Sequence, residues 1–155
     1  MATQYTAGLT TGQVLTAATM NSIGATWESF TCAWTGSITN PAIGNGSITA
    51  SYAQINKLLI VSVIVVSGTT TTFGSGNYKF SMPVSIVQGQ PTMGWGVVLD
   101  ASAGYASYNA NTIISTSATT VELYTTNGLT PIGAASPVTF AANDQIRFTI
   151  VGQAL

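Results

Sequence analysis

Near the C-terminal end, Ile146, Phe148 and Ile150 alternate with Arg147, Thr149 and Val151. That period of two predicts a strand with one face on a core and the other partly polar. Leu58 to Val66 reads differently. Leu59, Val61, Val63 and Val65 oppose Leu58, Ile60, Ile64 and Val66, so both faces of this strand are apolar apart from Ser62. Both must be covered, either by a second sheet plus a loop or by a neighbouring subunit, and the second alternative implies an oligomer. Shorter β-branched or aromatic runs predict further strands over Phe30–Trp34, Ser47–Tyr52, Tyr78–Met82, Gly96–Leu99, Thr112–Ser115 and Thr120–Tyr124. With Gly, Asn and Pro between them at spacings of roughly eight to twelve residues, about nine or ten strands are expected. The fold class that follows is all-β: an antiparallel β-sandwich or jelly-roll-like domain.

The first 25 residues depart from this pattern. Thr16 is placed to cap a two-turn helix over Ala17–Ile23, with Leu15 and Met20 at the two positions of a hydrophobic staple and Gly24 as the stop. So short a helix is unstable alone and has to be held by packing. The expected organisation is a docking arm, residues 1–25, followed by a β-sandwich domain, residues 26–155. Leu9, Val14, Leu15, Met20 and Ile23 are the apolar residues with which the arm would dock.

Composition changes the picture of the surface. Of 155 residues only seven are charged, Glu28, Lys57, Lys79, Asp100, Glu122, Asp144 and Arg147, while Thr and Ser fill 40 positions. An ordinary soluble domain carries about 25% charged residues, against 5% here. The exposed surface is therefore neutral and hydroxyl-rich, with little electrostatic protection against association. A net charge of −1 without a basic stripe gives no footprint for nucleic acid. The most apolar run, nine residues long, is about half of a membrane-spanning helix, so no membrane partner is expected. The N-terminus has neither the basic nor the apolar region of a signal peptide, which makes the cytoplasm the expected site of synthesis. The single cysteine, Cys32, is expected as a small buried hydrophobe.

Candidate chemistry is sparse. The chain has no histidine, which removes the commonest general base, triad partner and metal ligand together. The four carboxylates are far apart in sequence, and Asp100 and Asp144 read as turn residues beside strand ends. No catalytic residue, metal or cofactor is expected. Gly44-Asn45-Gly46, Gly74-Ser75-Gly76 and Gly94-Trp95-Gly96 lack the following helix that would aim amides at a phosphate, so all three are expected as hairpin turns. Asn45-Gly46-Ser47 is also a formal glycosylation sequon, but the turn reading is preferred. The small-residue stretch around Tyr105 and Tyr108 is expected to be a loop presenting both rings; with Trp95 they would form a glycan-stacking patch. The alternative is that these rings pack in the core or at an interface.

The segment Ala7-Gly8-Leu9-Thr10-Thr11-Gly12-Gln13-Val14-Leu15-Thr16-Ala17-Ala18-Thr19-Met20-Asn21 resembles the opening of many small tail, fibre and head proteins of tailed bacteriophages. The order of Trp27–Trp34, Asn40–Ile48, Thr70–Pro83 and Phe140–Phe148 resembles phage virion β-sandwich proteins over most of the chain. The resemblance implies a trimeric or otherwise symmetric unit fixed to the virion. One expectation is a capsid decoration or cement protein whose partners are its own copies and the major capsid protein or other virion proteins. The other is a head- or tail-fibre or minor tail protein that binds a host surface glycan. The chain has no repetitive shaft, which favours the cement role.

Overall fold

Among the described residues, alternation of apolar and polar positions is realised as ten strands in two sheets. The computed structural model describes residues 12, 14, 26–87, 93–110, 112–125 and 130–155. In chain order the strands are β1 (Glu28–Ser29), β2 (Trp34–Gly36), β3 (Ser47–Ile55), β4 (Leu58–Val66), β5 (Tyr78–Ser81), β6 (Met93–Asp100), β7 (Ala106–Ala110), β8 (Thr112–Ser117), β9 (Thr120–Tyr124) and β10 (Gln145–Gln153). One sheet has the order β1-β3-β4-β10-β6-β7, the other β2-β5-β9-β8. Every pairing is antiparallel. Among the described residues there is no helix. The arm and the helix expected over residues 17–23 lie outside the described residues, except Gly12 and Val14.

The inner faces of the sheets meet in one core, giving a sandwich-like all-β fold. Leu59, Val61, Val63 and Val65 of β4 and Ile146, Phe148 and Ile150 of β10 point inward and are buried. Across from them lie Phe80 of β5 and Val121 and Leu123 of β9. Phe80 and Phe148 bring their ring centroids to 4.9 Å, tying the two sheets together. At one side of the core Trp34 sits edge-on to Tyr78 at 4.9 Å, and Phe73 stacks on Phe140 at 5.9 Å. Aromatic pairs in such geometries add about 0.5–1.5 kcal/mol each beyond area burial. The Trp34 indole N–H is buried and has no hydrogen-bond partner among the described residues.

Several local expectations are corrected. Phe30–Trp34 is not one strand: residues 30–33 cross from β1 in the first sheet to β2 in the second, so its apolar groups serve a sheet-to-sheet passage. The region of Tyr108 is not a loop but β7, paired along β6 from Gly96↔Ala110 to Asp100↔Ala106. Gly94-Trp95-Gly96 is not a turn but the interior of β6. The reason is close packing: a Cβ on Gly96 would stand 3.0 Å from the Arg147 carbonyl oxygen, the Leu123 Cδ2 and the Phe148 Cβ. Glycine there lets the sheets approach. Residues 44–46 do form a turn, but it leads from the Ala42–Thr72 bridge into β3 and does not join two paired strands. Two-residue hairpins are instead found at residues 118–119 between β8 and β9 and at Asn56-Lys57 between β3 and β4, where Asn56 takes φ 51°, a conformation Asn tolerates better than most residues.

Cys32 is buried as expected, its thiol 3.5 Å from the Ser81 carbonyl oxygen, and burial pushes its pKa up to about 11. Asp100 and Asp144 also sit at strand ends. Asp100 Oδ1 accepts from the Ser102 hydroxyl at 2.6 Å and the Ala103 amide at 3.1 Å. The Ser102 bond leads in holding its pKa below the ordinary carboxylate value.

Candidate functional site: the outer face of the six-stranded sheet

On β4 the residues between the core positions point away from the core: Leu58, Ile60, Ser62, Ile64 and Val66. Strand register extends this face across the sheet. Ile60 is opposite Ala53 on β3 and Val151 on β10, and Val151 is opposite Met93 on β6. Neighbouring strands lie about 4.8 Å apart, so these side chains form a continuous apolar row. A parallel row runs Ser51, Ser62, Thr149, Trp95, and the next carries Thr49, Ile64, Arg147 and Val97.

Six of the large hydrophobic side chains that the fold leaves exposed belong to this face: Ile55, Leu58, Ile64, Met93, Trp95 and Val151. Met93 is 73% and Trp95 59% exposed. Scattered exposed hydrophobes are ordinary, whereas a contiguous patch of them marks an interaction surface. Among the outward strand positions of this sheet, Arg147 is the one charged residue. Its guanidinium donates to the Gln145 side-chain oxygen, so it leans toward the Gln145 end of β10 and away from Val151.

The second sheet turns a different outer surface to its surroundings. Glu122 is buried there, its carboxylate receiving the Asn77 amide at 3.4 Å and the Tyr124 hydroxyl at 3.1 Å, with Lys79 Nζ at 3.5 Å. Desolvation first, and the Glu122 carboxylate second, raise the Tyr124 pKa. The glycosylation-sequon residue is also engaged. The Asn45 side chain donates to Thr69 Oγ1 and accepts from the Thr70 amide and hydroxyl, bracing the turn.

The three rings considered for glycan stacking are not brought together. Trp95 lies on the outer face of β6. Tyr108 is opposite Val98, a fully buried residue, and packs against the core. Tyr105 is 61% exposed, with φ 62°, in the turn beyond Asp100 at the other end of β6. Of the arm residues, Val14 is exposed; Leu9, Leu15, Met20 and Ile23 lie outside the described residues.

The two-faced pattern of β4 pointed to this surface, but Met93, Val151 and Ile55 were not foreseen as part of it. Val151 continues the alternation of β10 on its polar side, and Met93 and Trp95 stand beside glycines that suggested a turn. Only the register places them in one row. Compared with protein-family models, with curated proteins and with solved structures, the chain matches none of them.

Proposed function

We propose that the chain is a non-enzymatic structural protein of a tailed-bacteriophage virion, a capsid decoration or cement protein that stabilises the head through protein–protein contacts. The observation that carries this reading is the outer face of the six-stranded sheet. It is a broad, neutral surface with six exposed large hydrophobes and a single charge, and a chain that acts by being packed against others has use for it. Covering apolar area contributes about 25 cal/mol per Å² before association entropy is subtracted. The reading places the protein on the virion after synthesis in the host cytoplasm, as a homo-oligomer with the major capsid protein or another virion protein as partner.

The phage assignment itself rests on the resemblance of the quoted segments. The same reading takes the sheets as a β-sandwich with jelly-roll-like winding. Support for the winding comes from β1 to β2, β2 to β3, β4 to β5, β5 to β6, β7 to β8 and β9 to β10, all of which change sheet, although three hairpins stay within one. The glycan-binding alternative is left with Trp95 alone on an open strand face, since Tyr108 faces the core.

The test is to incubate the purified chain with undecorated capsids and image the particles by cryo-electron microscopy, alongside a variant lacking residues 1–25. Regular density on the shell for the full chain and none for the truncated one is the expected result. Density confined to tails or fibres, or no binding to particles at all, overturns the cement role.

A further inference from the structure

We propose that the cavity beside the start of β5, lined by residues 75–77 and by residues between 130 and 136, is a binding site for a neutral N-acetylated sugar residue. This goes beyond the structural role above, lies apart from the three rings considered for glycan stacking, and is tested without any particle present.

The cavity forms where residues 131–133 bridge to Asn77, just before β5, and to Tyr124, at the end of β9. Two glycines bring its walls together. A Cβ on Gly133 would run into the Gly76 carbonyl oxygen, and one on Gly76, which holds φ 83°, into the Ser37 hydroxyl. Backbone bonds then fix the walls to the sheet. The Tyr78 amide donates to the Ile132 carbonyl at 2.8 Å and the Ile132 amide to the Leu123 carbonyl at 2.8 Å, while Gly133 and Ser136 donate to each other's carbonyls at 3.0 and 3.1 Å. The cavity volume is about 360 Å³, at the lower end of small-molecule sites, which are largely pre-formed in the same way. It suits one ring of a sugar chain, with the rest of the chain outside.

The chemistry of the lining defines the ligand. No lining residue is charged, and the two charges behind Asn77, Lys79 and Glu122, are paired with each other at 3.5 Å. A charged ligand finds no counter-charge here, so the ligand is neutral. Asn77 supplies one oriented acceptor. The Glu122 carboxylate only accepts, so the Asn77 Nδ2 turns to it, at 3.4 Å, and Oδ1 is left without a donor among the described residues. An acetamido N–H meets that need. Pro131, Ala134 and Ala135 offer small apolar walls to the acetyl methyl and the ring C–H groups, and the Ser136 hydroxyl is a donor for a ring oxygen.

A polypeptide also carries N–H and methyl groups, but the site is poorly furnished for one. The backbone N–H groups of Ser75, Asn77, Gly133 and Ser136 already donate within the protein. Recognition of an extended peptide relies on such main-chain groups being free. A saccharide is read by side-chain amides and hydroxyls, which are what the cavity has left.

The experiment is a proton–nitrogen NMR titration of the full-length chain with N-acetylglucosamine to about 50 mM, with glucose and N-acetyl-leucinamide as comparison ligands. Saturating shifts at the amides of Gly76, Asn77, Gly133 and Ala135 are expected, with a Kd of about 1–10 mM for so small a ligand. Glucose lacks both the N–H and the methyl and should bind at least about tenfold more weakly. Asn77→Ala should weaken binding about tenfold. Ala135→Trp, at an exposed position, should fill the cavity and abolish binding. The ligand comparison on the wild type requires no variant to fold. No shift at the highest concentration, shifts centred elsewhere such as on Trp95, or glucose binding as tightly as N-acetylglucosamine overturns the proposal. Unchanged affinity in a folded Ala135→Trp does the same. Tighter binding of N-acetyl-leucinamide would make the cavity a pocket for a polypeptide side chain, and also overturns it. Each outcome is read without capsids, so this site and the cement role stand or fall separately.

Discussion

Removing the Asp144 carboxylate tests how the ends of the first sheet are fastened. Asp144 is 1% exposed and immediately precedes β10. Its Oδ1 accepts from the Ala101 amide just after β6 at 2.8 Å, and its Oδ2 accepts from the Ala141 amide at 2.7 Å. Its carbonyl oxygen takes the Ser67 amide, just after β4, at 3.0 Å. One residue thus joins the ends of three neighbouring strands. Hydrogen bonds to a charged group are worth about 1.5–3 kcal/mol each. Asp144→Ala loses both side-chain bonds and should cost roughly 3–6 kcal/mol. Asp144→Asn keeps one carbonyl acceptor and should cost about half of that. At about 2–4 °C per kcal/mol for a chain of this size, the alanine variant should melt roughly 6–24 °C below the wild type. Urea unfolding followed by tryptophan fluorescence measures the free energies, and amide hydrogen exchange at Ala101 and Ala141 localises them. An alanine variant within about 1 kcal/mol of wild type would refute the reasoning, as would an asparagine variant no better than alanine.

Three further outcomes are expected. Gly96→Ala places a methyl 3.0 Å from three neighbours on both sheets and should destabilise by about 1–3 kcal/mol; unchanged stability in the same urea assay would show that the sheets can part there. Cys32 has its pKa raised by burial from 9.0 to about 11, so the neutral thiol stabilises the fold below the unfolded value, and that contribution is lost as pH rises from 9.0 through about 11. The alkaline fall in stability should be shallower in Cys32→Ala, and the native thiol should resist a thiol reagent at pH 8 until the chain unfolds. Association with a protein partner through the outer sheet face should change less than about twofold between roughly 0.05 and 0.5 M salt, because Arg147 is the one charged residue among its outward strand positions; a steep salt dependence in sedimentation would contradict the assignment of that face.

The strands readable from sequence were those whose pattern reports one environment along their length. β10 alternates cleanly because one face is core and the other open, and β3, β4, β5 and β9 were placed close to their observed bounds. Failures occurred where a residue's environment depends on another strand. Gly96 reads as a turn glycine until Phe148 and Leu123 are seen pressing on it from two sheets. Tyr108 reads as a loop aromatic because its neighbours are small, yet those neighbours pair with β6, and the pleat turns the ring inward. The candidate face is the extreme case. Leu58, Ile60 and Ile64 signalled an uncovered side of β4, but Met93 and Val151 join them only through pairings between strands far apart in sequence.

The few charges are themselves largely spent on holding the fold. Glu122 is buried under Lys79, Asn77 and Tyr124; Asp144 and Asp100 cap turns; Glu28 accepts the Tyr52 hydroxyl at 3.0 Å. All four carboxylates therefore have internal partners, and with four acidic and three basic residues the net charge is only −1, so there is little net charge to repel another molecule. Solubility falls to hydroxyls and amides, which solvate a surface without making it repulsive. On most proteins like-charged surfaces oppose self-association, and an apolar row must overcome that before it can dock. On the assembly reading proposed above, the Ala53–Ile60–Val151–Met93 row meets little such repulsion, because Arg147 is the one charged residue among the outward strand positions of its sheet.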